Sequence, residues 1–172
     1  ALGARNLAVY DDALLFDADH HALPLLMGIA ERGLGLSLHL PNGVHARFVT
    51  EAIAAAFRHA GVKTVRVGLE TSDEGIQKKT GGKTSNEEFR EAVRLLREAG
   101  YSREETGAYI LMGIPGQKAA DVERSIRFAH DAGAGPHLSA FSPIPGTPIW
   151  AEAARATPFP IEEEPLYHNK NV

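Results

Sequence analysis

Hydrophobic and polar residues follow a repeating order along the chain, in which a short apolar run is followed by a helical pattern. The runs have the length of strands, and the helical patterns place apolar residues three or four positions apart. We predict five strands, at residues 6–10, 34–40, 64–69, 109–114 and 137–141. We predict helices at residues 20–32, 50–61, 85–100 and 118–132. Strands that alternate with helices in this way are typical of a parallel α/β fold.

The predicted helix ends carry the expected start and stop residues. Thr50 is an N-cap candidate, and Ser85 with Glu88 has the spacing of a capping box. A glycine follows each predicted helix, and glycine adopts the left-handed conformation at a helix C-terminus without a Cβ clash. These glycines are Gly33, Gly61, Gly100 and Gly133. The division into βα units therefore has support at both ends of the helices.

Five strands are too few for a closed eight-stranded barrel, which typically takes about 250 residues. We predict a parallel partial TIM-type barrel over residues 1–150, followed by a C-terminal extension over residues 151–172. The extension has a short helical segment at 151–156, and its remainder has no period. The first strand is expected to be an open edge that awaits a partner strand upstream.

Charge and composition narrow the possible partners. The 172-residue chain has a net charge of −4, which gives no electrostatic footprint for nucleic acid or an anionic membrane. It contains no apolar run of the ~18 residues that a membrane span needs, so the default compartment is the cytoplasm. Cysteine is absent. This excludes disulfides, thiolate nucleophiles and any iron–sulfur cluster held by this chain alone.

Polar residues and glycines follow the predicted strands. They are Asp11, Asp12, His39, Asn42, Glu70, residues 113–117 and residues 142–146. A parallel fold brings such positions together at one mouth. Asp11 and Asp12 are equally well explained as turn-capping residues. Glu70 favours a ligand contact, because a charge directly after an apolar strand needs a partner. The glycine-rich turn at 113–117 is expected to offer backbone amides to a ligand.

Two further motifs give weaker signals. Residues 80–85 (TGGKTS) look like the end of a phosphate-binding P-loop, but Gln77 stands where the first glycine belongs and the segment lies far beyond its strand. We therefore do not predict a nucleotide triphosphate site. Among the eight histidines, only His39, near the end of its strand, could join Asp11 or Glu70 around a metal. His39 with Asp11, Asp12 and Glu70 leaves open a metal-dependent hydrolase or lyase.

Five segments at the strand ends together resemble the radical S-adenosylmethionine (radical SAM) superfamily, especially members linked to cobalamin-binding domains. The segments are VYDDALL, LHLPNGVHARFV, TVRVGLETSDE, YILMGIPGQ and FSPIPGTPIW, in chain order over residues 7–150. Members of that family share a partial (βα)6 barrel. The resemblance implies that this chain supplies strands two to six, the (βα)5 portion of that barrel.

The resemblance also implies a set of contacts with S-adenosylmethionine (SAM). The implied contacts are Asp11 and Asp12 with the methionyl amino group, Asn42 and Glu70 with the ribose or carboxylate, Gly113 beside the adenine, and Ser142 and Ile144 from the last strand. A zwitterionic, ribose-bearing ligand needs such polar groups and apolar walls to converge from different strands.

One departure from the family limits the expected activity. The family's three closely spaced cysteines hold a [4Fe–4S] cluster, and this chain has none. We expect the C-terminal part of a larger radical SAM enzyme, which contributes SAM- and substrate-binding walls and is inactive alone. Its implied partners are an upstream cluster-bearing segment of the same protein and a cobalamin-binding domain. The metal-dependent hydrolase or lyase and a non-catalytic binding module remain the alternatives.

Overall fold

A computed structural model describes residues 3–79 and 81–164 and shows one parallel sheet. Its strands are β1 (Asn6–Ala8), β2 (Ser37–Val44), β3 (Val62–Glu70), β4 (Thr106–Met112) and β5 (Gly135–Ala140). All four strand pairs are parallel, and the strands lie side by side in chain order. Within the described residues β1 pairs only with β2 and β5 only with β4, so the sheet is open at both edges.

Among the residues that the structure describes, six α-helices accompany the sheet. They are α1 (Ala22–Glu31), α2 (Glu51–His59), α3 (Glu74–Lys79), α4 (Asn86–Glu98), α5 (Ala119–Ala132) and α6 (Trp150–Ala156), and a 3₁₀ turn lies at Ala46–Phe48. Because the strand order follows the chain order, each crossover moves one strand in the same direction. This is the winding of a barrel, and it differs from the reversing order of a doubly wound sheet. The predicted partial parallel barrel is confirmed.

The hydrophobic core lies between the sheet and the helices. Val65, Val67 and Leu69 of β3 are at most 1% exposed and belong to the same core as Phe57 of α2 and Phe89 of α4. The strand residues between them have their side chains on the opposite face, because strand side chains alternate. That second face is concave and belongs to the interior of the partial barrel. The helices therefore stabilise the sheet from one side only.

The concave face is not covered. Tyr109 and Leu111 of β4 lie on it and are half-buried, whereas Ala108 and Ile110 on the helix side are fully buried. A run of consecutive apolar residues such as the one beginning at Tyr109 predicts a strand covered on both faces, and for β4 that prediction is wrong. Its hydrophobic residues fill the core on one side and line an open cavity on the other.

The local signals at the helix ends are confirmed. Thr50 Oγ1 accepts a hydrogen bond from Ile53 N at 3.2 Å, and Ser85 forms a reciprocal capping box with Glu88. Gly133 ends α5 with a φ of 97°. Gly61 has a φ of 83°, and a Cβ there would lie 2.6 Å from the Leu36 carbonyl oxygen. Glycine is thus required at Gly61 for space as well as for conformation.

Several boundaries differ from the predictions. Strand β2 begins at Ser37 and continues through Pro41-Asn42-Gly43 to Val44, whereas the predicted strand covers residues 34–40. Helix α3 and the 3₁₀ turn were not predicted. The short helix of the C-terminal extension is confirmed as α6, and the last eight residues of that extension lie outside the described ranges. None of the described helices has the length and hydropathy to cross a membrane.

Candidate functional site at the carboxyl ends of the strands

The seven residues expected to contact SAM lie at one edge of the sheet. Asp11 and Asp12 follow β1, Asn42 lies in the distal part of β2, Glu70 is the last residue of β3, Gly113 follows β4, and Ser142 and Ile144 follow β5. Because all five strands are parallel, this is the carboxyl edge of every strand. It is also the edge at which parallel α/β folds bind ligands.

Asn42 connects the carboxyl ends of β1 and β2 through hydrogen bonds. Its Nδ2 donates to Asp12 Oδ1 at 2.6 Å and to the carbonyl oxygen of Tyr10 at 3.0 Å. Both bonds cross from β2 to the turn after β1. Asp12 is exposed and has its second carboxylate oxygen free of any hydrogen bond with the described residues. Asn42 therefore orients a carboxylate that retains an open acceptor.

Asp11 has a different role from Asp12. Its Oδ1 accepts from Ala13 N at 2.8 Å, which closes a turn, and its Oδ2 lies 2.9 Å from Nε2 of His21. The hydrogen bond with His21, together with the one from Ala13, lowers the pKa of Asp11. The turn-capping explanation of Asp11 thus describes its contacts, and both of its oxygens are engaged.

Glu70 is held in an unusual backbone conformation. Its φ is 63°, in the left-handed region that non-glycine residues rarely adopt, and the β3–β4 register shifts between Gly68 and Glu70. Such a conformation costs roughly 1 to 3 kcal/mol and persists only where the surroundings enforce it. The Glu70 carboxylate is half-buried and makes no hydrogen bond or ion pair with any described residue. A strained, unpartnered carboxylate at the end of a central strand is the strongest site signal in the molecule.

The turn after Glu70 is held in place by hydrogen bonds with side chains of α5 and α3. Ser125 is fully buried; its Oγ accepts from Ser72 N at 2.9 Å and donates to the Asp121 carbonyl oxygen at 3.0 Å. Gln77 Nε2 donates to the Thr71 carbonyl oxygen at 2.7 Å. These groups do not face the cavity, but they hold the backbone that directs Glu70 towards it.

Two clefts meet at Glu70. The larger, here called the distal cleft, has a volume of about 520 Å³ and lies between Lys79, Gly81 and Lys83 on one side and residues 140–149 on the other. The smaller, the central cleft, has a volume of about 280 Å³ and reaches Gly43 and Tyr109 on the concave face. Of the expected site residues, Glu70, Ser142 and Ile144 line the distal cleft. Asp11 and Asp12 line a separate small cavity of about 90 Å³ beside Phe48.

Lys83 lines both clefts and was not a candidate from the sequence. In the sequence its segment resembles an incomplete P-loop, a pattern that indicates phosphate chemistry and no separate role for the lysine. In the structure Gly81 and Lys83 lie between α3 and α4 and form one wall of the distal cleft, together with Lys79. The clefts thus contain a carboxylate, Glu70, and an ammonium group, Lys83, on shared walls.

The glycine-rich turn after β4 is closed by one of its own side chains. Gln117 Oε1 accepts from Gly113 N at 2.9 Å and from Ile114 N at 3.3 Å, while its Nε2 donates to the Leu111 carbonyl oxygen at 3.1 Å. The expectation that these two backbone amides are available to a ligand is wrong. Gly113, with a φ of 87°, still provides a side-chain-free surface at the end of β4.

The candidate metal ligands are not brought together. His39 lies on the concave face with Nδ1 3.0 Å from Thr64 Oγ1, whereas Asp11 is paired with His21. Across residues 3–79 and 81–164, no three histidine, aspartate or glutamate side chains are placed to hold a metal ion together. The predicted metal-dependent hydrolase or lyase site is therefore wrong for these residues, because the fold does not bring their side chains together.

Comparisons with solved structures support the fold. The chain is similar to TsrM from Kitasatospora setae, a radical S-adenosylmethionine methyltransferase with cobalamin and a [4Fe–4S] cluster bound, at 22% identity and a TM-score of 0.69, covering 88% of this chain and 31% of TsrM. A second TsrM structure, with tryptophan and aza-SAM, gives 22% identity and a TM-score of 0.63 over 77% of this chain and 26% of that one. Coproporphyrinogen III oxidase (HemN) from Escherichia coli, a radical SAM enzyme, gives 14% identity and a TM-score of 0.59 over 77% of this chain and 30% of HemN.

The chain spans about a third or less of the length of each of these proteins. No curated protein matches it. The model of the Radical SAM superfamily, however, matches residues 17–129, which is well over half of the chain and includes β2, β3 and β4. Together with the partial parallel barrel, this match shows that the chain belongs to the radical SAM superfamily.

Proposed function

We propose that this chain forms the SAM-binding wall of a radical SAM enzyme, with SAM lying along the carboxyl ends of the strands. The observation that carries the proposal is Glu70. Its carboxylate has no partner in the described residues, its backbone is held at a φ of 63°, and it borders both clefts. A conformation of this kind is characteristic of functional positions.

The distal cleft has the size and chemistry that an adenosyl group needs. Its volume of about 520 Å³ lies within the range of small-molecule sites. Leu111, Phe141 and Ile149 provide apolar surface for the adenine, and Ser142 provides a hydroxyl. In the proposed complex, ribose hydroxyls donate to Glu70, since a carboxylate accepts such hydrogen bonds strongly.

The methionyl end of SAM carries a carboxylate and an ammonium group. We assign the carboxylate to Lys83, which lines both clefts beside Glu70. The ammonium is assigned to the free oxygen of Asp12, whose other oxygen is fixed by Asn42 at 2.6 Å. Lys83 and Asp12 would then both act at the methionyl end, where the ligand's carboxylate and ammonium are attached to the same carbon, and Glu70 would hold the ribose at the other end.

The residues of this chain do not fit the [4Fe–4S] cluster, because the chain contains no cysteine. We propose that another segment of a longer protein holds the cluster and that this chain alone does not turn over. When bound, SAM supplies a carbon–sulfur bond that breaks on receipt of an electron. The role of the residues described here is to bind SAM, to orient it and to exclude water around it.

The sequence resemblance also supports a cobalamin-binding domain as a proposed partner. TsrM, whose structure holds cobalamin, shares the fold of this chain at a TM-score of 0.69. A cobalamin-dependent enzyme would need that cofactor to approach the open concave face, where a substrate would lie beside SAM. The proposal for SAM does not depend on this partner.

Calorimetric titration of the purified chain with SAM tests the proposal. We expect saturable binding and a loss of affinity of about tenfold or more in Glu70→Gln, since a charge-assisted hydrogen bond contributes roughly 1.5 to 3 kcal/mol. Glu74→Gln is the matched control, because Glu74 is an exposed acid four residues away that lines neither cleft. Absence of SAM binding, or equal binding by wild type and Glu70→Gln, would contradict the proposal.

A further inference from the structure

The concave face of the sheet contains a positive charge that the SAM site does not use. This charge belongs to Arg66 of β3. Arg66 lies two residues before Gly68, so both side-chain positions are on the concave face, and Arg66 is partly buried. Its guanidinium makes no hydrogen bond or ion pair with any described residue, and Nη1 is sealed from solvent without a partner. A partly buried guanidinium with no acceptor is unfavourable, because its N–H groups have lost water without gaining a replacement.

Gly107 of β4 allows this arginine to cross the neighbouring strand. A Cβ built on Gly107 would lie 2.5 Å from Cδ and 2.6 Å from Nη1 of Arg66, and 2.7 Å from Cδ2 of His137. The arginine and the imidazole therefore meet directly above Gly107, across three adjacent strands. The missing side chain at Gly107 is what leaves room for this contact.

His137 lies beside Arg66 and does not add a second full positive charge. Burial, and then the neighbouring Arg66, lower the pKa of His137, so its imidazole is neutral at pH 7. A neutral imidazole offers one N–H donor and one acceptor. Tyr109 packs edge-on against the ring, with centroids 6.4 Å apart. The patch formed by Arg66, Gly107 and His137 thus has a net charge of about +1.

We propose that the Arg66–Gly107–His137 patch binds the carboxylate of a small-molecule ligand. Because Nη1 is sealed, the carboxylate would approach the Nε–Nη2 edge of the guanidinium, whose paired N–H donors match its two oxygens. A single net positive charge suits a monoanion better than a phosphate dianion. The His137 N–H offers a further donor to the same group.

The remainder of the ligand would occupy the central cleft. Gly68, Tyr109 and Ser139 line this cleft, and Gly68 and Tyr109 are in register with His137 across the sheet. Its volume of about 280 Å³ accommodates a small molecule, and Glu70 lies at its upper end. A carboxylate anchored at Arg66 would direct the body of the ligand towards the carboxyl edge. The site is independent of SAM binding.

Titration with small anions tests the site without SAM. Acetate, acetamide and inorganic phosphate are added separately to the purified chain at constant ionic strength. NMR follows the imidazole C–H resonances of His137, which are assigned by their absence from the spectrum of His137→Gln. We expect a saturable shift with acetate, none with the neutral isostere acetamide, and weaker binding of phosphate. Arg66→Gln should weaken acetate binding about tenfold or more, whereas Lys63→Gln, an exposed charge on the same strand, should not change it.

Arg66→Lys separates the shape of the guanidinium from its charge. It keeps the positive charge but lacks the paired donors, so acetate should bind several-fold more weakly than to wild type. A non-saturable acetate response, an equal response to acetamide, unchanged binding in folded Arg66→Gln or Arg66→Lys, or tighter binding of phosphate would each overturn the carboxylate assignment. Because no arm contains SAM, such a failure would leave the proposed function standing.

Discussion

The hydroxyl of Tyr109 donates a 2.5 Å hydrogen bond to the carbonyl oxygen of Pro41, although β3 lies between their two strands. The tyrosine ring passes beside Gly43 of β2, where a Cβ would lie 3.1 Å from Tyr109 Cδ2, so the missing side chain at Gly43 leaves room for it. This bond fixes the residue directly before Asn42, which in turn holds Asp12. A side chain in the middle of the sheet therefore contributes to the geometry of its carboxyl edge.

Tyr109→Phe removes this bond and leaves the ring in place. We expect the free energy of unfolding to fall by about 1 kcal/mol, because the Pro41 carbonyl loses its partner, and SAM affinity to fall with it. Urea denaturation measures the first effect and calorimetry the second. Tyr10→Phe is the control, since Tyr10 is 72% exposed and should change neither. Unchanged stability in Tyr109→Phe would show that the bond contributes nothing.

A methyl group at Gly43 should disturb the same contact from the other side. A Cβ there would lie 3.1 Å from Tyr109 Cδ2 and 3.4 Å from Gly68 N. Gly43→Ala is expected to lower the free energy of unfolding by roughly 1 to 3 kcal/mol, as overpacking does. Gly68→Ala is the matched comparison, because the nearest atom to its Cβ is 3.9 Å away. Equal effects of the two substitutions in urea denaturation would contradict this account of the packing.

Ser125→Ala tests the support behind Glu70. The substitution leaves Ser72 N without its acceptor, and we expect a loss of about 1 to 3 kcal/mol in stability together with weaker SAM binding. Ser85→Ala removes the cap of α4 and should cost about 1 kcal/mol without changing SAM affinity. If both variants lose stability and neither loses affinity, Ser125 does not position Glu70.

The stability of the chain should depend on pH through His137. Its pKa in the folded state is lowered from 6.5, chiefly by burial, so the unfolded chain binds more protons between the folded pKa and pH 6.5. The contribution of His137 to stability is complete above pH 6.5 and is lost as the pH falls through this window. Urea denaturation at several pH values should show a smaller decrease for His137→Gln than for wild type. An identical pH profile would contradict the burial of this imidazole.

The order of elements could be predicted from the sequence because its signals are local. Capping residues such as Ser85 with Glu88, and glycines such as Gly61, act within a few positions of the chain. Helix α3 escaped prediction because six residues are too few to display an apolar stripe. The extension of β2 through Pro41 depends on pairing with β3, which no local pattern reveals.

The candidate site could be predicted from the sequence only in part, because several of its contacts depend on the folded structure and not on neighbouring residues. The positions of Asp12, Asn42 and Glu70 follow from the rule that parallel strands share one carboxyl edge. The capping of Gly113 N by Gln117 could not be inferred, because it depends on a side chain folding back over the turn. Lys83 reaches the two clefts, and Arg66 reaches its place above Gly107, by tertiary placement alone. Composition and spacing carry no information about such contacts.

Hydrogen exchange of the purified chain with and without saturating SAM tests the central claim most directly. The account predicts slower amide exchange at residues 68–72 and 140–146, which border the proposed site, and unchanged exchange in α2 on the far side of the sheet. Protection confined to other segments, or no change at residues 68–72 while SAM is bound, would contradict it.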